Sequence, residues 1–412
     1  LNRLTVPQLA FERFLTFFRR RLLEELEAAP LGFILALASY CRQNGYIFYV
    51  EASEQQHRDA LIAGFKAADV EDRNKLAVLC CYESPASLLD RLNLSPSDIA
   101  GETGAWLRIV MDEDARLRSA RQAIRSLTPV SDTVSAKVQE QYEHYPYPFW
   151  NGYSAEIKGE AERGLSGRKA SILVAGCGTG MEAVELAAAF PDARILAVDL
   201  SANSLAYAQM KADSFNIANI EFRQADILEL GMLDRRFDFI ACSGVLHHMR
   251  EPEAGLAVLT QLLVPDGLMR IALYSTRGRR FIAQARQAIA ASGRYPANDE
   301  GMRAFRYDGR KIIGRKAWKN IASFVDFYFM AECRDLLFHV QEHTFTPLQV
   351  RDFLDRFGLR TMELHLPPGD KLAFSRLYPQ SEAQCDLPLW DAFEAKRPDT
   401  FRRMIRLWCI KK

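Results

Sequence analysis

No C-x-x-C pair occurs in this chain. Its eight cysteines, at 41, 80, 81, 177, 242, 333, 385 and 409, have no histidine at metal-ligand spacing, which argues against a zinc site and leaves no metal expected. Several of these thiols lie in apolar, strand-like runs, and Cys80 and Cys81 read as two core positions at a helix end. That pattern fits reduced cysteines of a cytoplasmic protein better than a secreted disulfide framework. An excess of one charge is also missing. Lys and Arg number 53 against 52 Asp and Glu, a net +1, so the chain is not a globally nucleic-acid-coating protein and any electrostatic preference must be local. Near the N-terminus the longest uncharged apolar stretch, 31–40, is too short to span a bilayer, and no signal-cleavage pattern precedes it. Fixed-period repeats and low-complexity segments are absent. The chain opens at Leu1, without methionine, as a fragment or a processed form of a longer protein would.

What is present is enough for two hydrophobic cores: 412 residues, 49% of them apolar. In the first third, Phe11, Phe14, Leu15, Phe18, Leu22 and Leu26 recur at three- and four-residue intervals, predicting an amphipathic helix over 7–27 that ends before Pro30. Further helices are expected over 31–42, 53–68, 87–92 and 105–127. After Pro129 the rhythm changes to short aliphatic runs separated by helices. Strands are expected at 171–175, 194–198, 220–224, 237–242 and 267–273, with helices at 181–190, 204–215 and 252–263, the alternation that builds a parallel sheet with crossover helices. A basic helical insertion follows, then a strand-like 338–345, a helix over 347–357, and last strands at 360–366 and 405–410.

The sharpest chemical signal is Ile172-Leu173-Val174-Ala175-Gly176-Cys177-Gly178-Thr179-Gly180, an apolar strand breaking into alternating glycines and then a helix. Glycine lets a backbone turn tightly and approach a ligand, while a helix N-terminus offers free N–H groups, so a nucleotide-type ligand is implied. The glycines alone leave two cofactors open, because Gly178-x-Gly180-x-x-Ala183 also satisfies the dinucleotide fingerprint. Two acids after successive strands favour an adenosyl group. Asp199 can accept from both ribose hydroxyls and Asp226 from an adenine amine. The plainer reading of each is a helix N-cap.

Phe237 to Met249, running through Gly244-Val245-Leu246-His247-His248, resembles the strand-four turn of class I methyltransferases of the ubiquinone/menaquinone-methylating type. Val264-Pro265-Asp266-Gly267-Leu268 is similar to their strand-five entry, with Asp266 where that family usually has glycine, a conservative change in turn chemistry. A narrower resemblance covers nearly the whole chain. Gln141-Tyr142-Glu143-His144-Tyr145-Pro146-Tyr147-Pro148-Phe149-Trp150, Ala272-Leu273-Tyr274-Ser275, Arg334 to His339 and Gln341 to Thr346 resemble bacterial methyltransferases often carried behind tetratricopeptide repeats. These resemblances imply a Rossmann-like, doubly wound α/β sheet of seven strands, the last one antiparallel, and S-adenosyl-L-methionine as cofactor. The expected organisation is a helical domain over 1–128, a linker over 129–165 whose aromatic-proline motif covers the cofactor site, and a methyltransferase domain over 166–412 with a helical lid over about 276–335.

Cofactor contacts are expected from Gly176, Cys177, Gly178, Thr179, Gly180, Asp199, Leu200, Asp226, Ile227, Ser243, Gly244 and His247, with Tyr142 and Tyr147 presenting rings. The alternative for those rings is to staple the helical domain to the sheet. Candidates for catalysis are His247, His248, Glu342 and His343, histidine being the side chain that titrates near neutrality. Substrate contacts are assigned to Tyr145, Tyr274, Asp335, His339, Arg279 and Arg280. The insertion is strongly basic, with Arg277, Arg279, Arg280, Arg286, Arg294, Arg303, Arg306, Arg310, Lys311, Arg315, Lys316 and Lys319, and can attract an anionic acceptor or present a solvated helix face. The expected activity is methyl transfer to nitrogen or oxygen of a protein or peptide side chain or an anionic metabolite, with nucleic acid less favoured, no membrane partner and self-association left open. An oxidoreductase using a nicotinamide cofactor and a catalytically silent binding module are the two other readings.

Overall fold

The computed structural model describes residues 6–66, 73–150, 152–154, 165, 167 and 169–412. Two compact units divide the chain: Leu1–Arg116 with Phe281–Phe338, and Leu117–Arg280 with His339–Lys412. The insertion expected as a lid therefore belongs with the N-terminal helices, and the dividing point falls inside a helix, Gly101–Ala123.

In the second unit β1 (Ser171–Ala175), β2 (Arg194–Asp199), β3 (Ile220–Gln224), β4 (Phe237–Ser243), β5 (Leu263–Leu273), β6 (Leu359–Leu364) and β7 (Ile405–Lys411) form one sheet. The order is β3-β2-β1-β4-β5-β7-β6, with β1 to β5 parallel and β7 antiparallel to both its neighbours. Period-two alternation explains how both faces are buried. Leu173, Ala175, Ile240 and Cys242 join a core with Phe374 and Trp390, while Ile172, Val174, Phe239 and Ala241 join another with Val184 and Trp408. Helices Met181–Ala189, Ala202–Ser214 and Pro252–Leu262 make the crossovers, and strand order reverses between β1 and β4, where open α/β sheets place their ligands. Asp266 has φ +56, so the position where the resembling family carries glycine is a left-handed turn residue, which Asp tolerates. Residues 125–127 cover the free edge of β3: Leu127 N donates to Gln224 O at 2.8 Å, and Gln224 N to Arg125 O at 3.1 Å.

The first unit is helical, with Leu9–Glu24, Leu31–Gln43, Ala52–Ala63, Arg73–Leu79, Pro85–Leu92 and the start of Gly101–Ala123 joined by the insertion helices Arg280–Ser292, Asp299–Ile321 and Met330–Phe338. Asp299–Ile321 is broken at Gly314, whose φ of 80° and ψ of 165° are not helical. A buried ion pair, Arg19 to Glu54 at 2.9 Å, anchors the N-terminal helices. Arg19 also donates to Tyr49 O, and Tyr82 Oη donates to Glu54 at 2.7 Å. Cys80 and Cys81 follow the Arg73–Leu79 helix as buried thiols, in the helix-end core positions read from the sequence.

Two expectations need correction. Helix 53–68 is shorter, Ala52–Ala63, closed by Gly64, and positions 67 and 68 lie outside the described residues. The strand-like 338–345 is not a strand of the sheet. Phe338 ends a helix, and the extended stretch beyond it makes a single bridge, Ser275 to Phe345, because its polar groups bond to the loops after β4 and β5.

Candidate active site

The glycine turn is shaped by the chain's own packing. Gly176, Gly178 and Gly180 have φ of +73°, +53° and +83°, a region that disfavours any side chain. A Cβ on Gly176 would fall 2.3 Å from a Val245 methyl, and one on Gly178 would fall 2.7 Å from Tyr147 O. The loop thus touches both the turn after β4 and the aromatic-proline segment. Thr179 is consumed by that segment. Its N–H donates to Tyr147 O at 3.3 Å, its hydroxyl to Pro148 O, and its carbonyl accepts from Trp150 Nε1 at 2.9 Å. Cys177 is buried, and its Sγ faces Gly178 O.

The helix Thr133–His144 lies over the ends of β2 and β3 and explains the residues before the prolines. Glu143 accepts from Ala202 N at 2.7 Å and from Asn203 N at 3.3 Å, capping the Ala202–Ser214 helix at its positive end. Gln139 and Gln224 both donate to Leu200 O, and Ser201 Oγ donates to Tyr142 O at 3.1 Å. Sequence reasoning missed Glu143. The signal available was an acid in the Q-Y-E triplet combined with a helix start sixty residues away, which no local pattern links.

Asp199 ends β2 and accepts from Gly178 N at 2.8 Å and Ser201 N at 2.9 Å. Burial pushes its pKa upward, partly offset by these backbone donors. Asp226 caps the 3₁₀ turn after β3 through Oδ1 to Leu228 N at 3.0 Å, so the N-cap reading holds for one oxygen. The other, Oδ2, is buried with no hydrogen-bond partner among the described residues. Burial raises the pKa of this carboxyl as well. Ile227 is buried beside it, and Gly244, with φ +78, donates to Ala272 O. Ser243 donates to Glu182 at 2.9 Å, and Arg270 pairs with the same carboxylate, two partners that the sequence did not suggest.

The histidines expected separately come together. His247 and His248 follow β4, with ring centroids 4.3 Å apart. His248 stacks on His339 at 3.6 Å and faces Gln341 O through Nδ1 at 2.7 Å, so Nδ1 carries its proton. His343 N donates to His247 O at 2.7 Å, and its Nε2 stands 3.2 Å from Arg250 O. Tyr142 lies 5.8 Å from His339. Tyr274 packs on His247 at 3.9 Å, and the Arg279 guanidinium lies over the Tyr274 ring at 3.5 Å. His247 is fully buried, and neither ring nitrogen has a partner among the described residues. Burial, then His248, Arg279, His339 and His343, push its pKa well below the usual value, so the imidazole is neutral.

Glu342 is held by Arg279 through both oxygens, at 3.2 and 2.5 Å, in a buried fork. Arg280 donates to Pro398 O and pairs with Asp399, and Arg277 pairs with Asp391 and Glu394. Arg294, Arg303 and Arg306 are likewise paired with acids. Arg310, Lys311, Arg315, Lys316 and Lys319 are exposed and make no ion pair among the described residues. Asp335 is buried on the Met330–Phe338 helix of the other unit. Tyr145 caps the Thr133–His144 helix, donating its N–H to Gln141 O, and is half-buried.

Residues 172–267 match the family described as a methyltransferase domain. The chain carries a class I S-adenosylmethionine-dependent methyltransferase domain. A Synechococcus sp. protein described as uncharacterized is 34% identical over 205 residues, covering 46% of this chain and 47% of that one. The ubiquinone biosynthesis O-methyltransferase of Acinetobacter baumannii is 30% identical over 109 residues, 26% of this chain and 44% of the enzyme. The chain thus spans about half the length or less of the curated relatives it matches. Among solved structures, PKMT2 from Rickettsia typhi in complex with AdoHcy aligns with a TM-score of 0.43 at 16% identity, over 68% of this chain and 54% of that one. The nicotinamide alternative is set aside by the family match. The cofactor also suits the residues present, since Asp226 Oδ2 is a buried acceptor that makes no hydrogen bond among the described residues, although the Ser135 hydroxyl stands near its carboxyl, and Asp199 keeps lone pairs beyond its two backbone contacts. Among the described residues no helix is long and apolar enough to cross a membrane.

Proposed function

We propose that the protein transfers a methyl group to a nitrogen or oxygen atom of an acceptor, a protein or peptide side chain or an anionic metabolite, and that it works in the cytoplasm, where eight free thiols would stay reduced. The observation that carries this reading is the convergence of the glycine turn, Asp199 and Asp226 at the strand ends beside the reversal of strand order.

S-adenosylmethionine, when bound, supplies an electrophilic methyl on a sulfonium. Asp199 is suited to accept from ribose hydroxyls and Asp226 Oδ2 from the adenine amine. Displacement at a methyl carbon needs the nucleophile held in line in a dry site, with a base only where the nucleophile arrives protonated. His247 fits that base: it is neutral, shielded from water and has both nitrogens unspent. His248 and His343 are less suited, since each has a ring nitrogen engaged by a backbone carbonyl. The Arg279–Glu342 fork and Tyr274 act as positioning residues that fix the His247 ring.

Calorimetric titration of the wild type and of Asp199→Ala tests the cofactor half. S-adenosylhomocysteine should bind the wild type and weaken in the variant by roughly 10- to 150-fold or more, the range for each hydrogen bond lost to a charged group. Absence of wild-type binding, or a preference for NAD, would overturn the reading. His247→Asn should then lower turnover with a labelled methyl donor while leaving cofactor affinity unchanged.

A further inference from the structure

We infer that Gln141 binds the amino-acid end of the cofactor, pairing its amide with the α-carboxylate and α-ammonium of the methionine moiety. The inference rests on the methyltransferase reading and adds a residue to it.

Gln141 lies on the Thr133–His144 helix, and its side chain is buried on the face that also carries Ser135 and Val138. Both of its polar atoms, Nε2 and Oε1, are shut from solvent with no partner among the described residues. Side chains with two polar atoms both unsatisfied are rare in folded proteins, because each buried orphan costs free energy that a shift of rotamer or a water would otherwise relieve. Among the described residues only Gln141 and His247 have this property. The position of Gln141 follows from its neighbours along the helix. Ser135, two turns earlier, stands against Asp226, Gln139 donates to Leu200 O, and Tyr142 O accepts from Ser201 Oγ. The helix thus runs from Asp226, which Ser135 meets, toward the glycine turn, which Tyr147 O reaches through Thr179 N six residues after Gln141, and Gln141 lies in its last turns between the two.

The chemistry of the ligand selects the fragment. An adenosyl group presents donors, the ribose hydroxyls and the adenine amine, and the two aspartates are acceptors for them. The methionine end presents a carboxylate that needs a donor and an ammonium that needs an acceptor. An amide supplies one of each from a single side chain, and Gln141 has both to spare.

A ligand-truncation experiment on the full chain decides this. Affinities of S-adenosylhomocysteine and of 5′-methylthioadenosine, which keeps the adenosyl part and lacks the amino acid, are measured by calorimetry on wild type, Gln141→Leu and Gln141→Glu. The expected result is a loss of about tenfold or more for S-adenosylhomocysteine in both variants, with the affinity for 5′-methylthioadenosine unchanged. Gln141→Glu keeps the length of the side chain, so it guards against a packing defect in the leucine variant. Equal affinity for S-adenosylhomocysteine in wild type and variants overturns the inference, and so does a parallel loss for both ligands, which marks Gln141 as structural. Failure of the wild type to bind either ligand instead overturns the cofactor reading on which the inference rests.

Discussion

Each unit of this molecule buries an arginine-glutamate fork against a tyrosine, and the two forks differ in what surrounds them. In the helical unit Arg19 lies 4.2 Å from the Tyr82 ring and Glu54 receives Arg19, the Tyr82 hydroxyl and Glu51 N, while Arg19 also reaches Tyr49 O. In the sheet unit Arg279 lies 3.5 Å from the Tyr274 ring, and beyond Tyr274 stands His247 with two unsatisfied nitrogens. The first network holds helices together: both Glu54 oxygens and the Tyr82 hydroxyl are engaged, and the nearby Arg20 adds a second cation at 3.7 Å. The second network ends in the His247 ring nitrogens, which make no hydrogen bond among the described residues, the property expected of a site rather than of a staple.

The largest effect expected from breaking this comparison is on stability. Arg19→Met leaves the buried Glu54 with Arg20, 3.7 Å away, as its one remaining cation among the described residues and should cost roughly 3 kcal/mol in denaturant unfolding, with S-adenosylhomocysteine affinity of the folded protein unaltered. Arg279→Met should destabilise as well, through Glu342, but it also removes one of the charges that hold His247 neutral. The acid limb of the pH–rate profile should then move to higher pH in the Arg279 variant and stay in place in the Arg19 variant. Identical profiles would mean that the sheet fork is merely structural.

A smaller effect concerns pH and stability. The folded-state pKa of His247 is depressed, so below about 6.5, its ordinary value, the unfolded chain takes up a proton that the native state refuses. Stability from this group is therefore full above that pH and is lost as pH falls toward the depressed value, at a slope of up to about 1.4 kcal/mol per pH unit. His247→Phe, which keeps a ring against Tyr274, should flatten the fall in unfolding free energy between neutrality and pH 5. An unchanged slope would assign the acid lability to other groups.

Much of the sheet was legible because its causes are local. Period-two apolar runs, glycines at the first turn and acids after β2 and β3 lie within short windows, and the seven strands appear where those windows place them. Helix Arg73–Leu79 and the N-terminal boundary of Thr133–His144 carried no comparable amphipathic signal. The stretch after Phe338 was misread for a physical reason. Phe338 and Phe345 mimic strand alternation, yet Val340 is exposed, and the polar residues between them are fixed by long-range partners, Gln341 O to His248 and Glu342 to Arg279. The candidate histidines were legible one by one but their grouping was not, since joining His247 to His339 and His343 requires a chain reversal through the whole insertion. Nor can composition reveal that Gln141 lacks side-chain partners among the described residues.

The smallest effect is expected where the sequence showed its loudest charge run. Along Asp299–Ile321, which Gly314 breaks, Arg306 is buried, pairs with Glu12 at 2.5 Å and donates to Phe327 O and Ile47 O, whereas Arg310, Lys311, Arg315, Lys316 and Lys319 are exposed and make no ion pair among the described residues. Removing a buried partner strands the other, so Arg306→Gln should lower the unfolding free energy by roughly 3 kcal/mol or more. Glutamine at any one of the five exposed sites should change it by no more than about 0.5 kcal/mol. The two classes are separable by the denaturant midpoint at fixed slope. If an exposed site proved as costly as Arg306, that cation would have to be anchored in solution by an acid it does not meet here, and the division of this helix into a fastened half and a solvated half would fail.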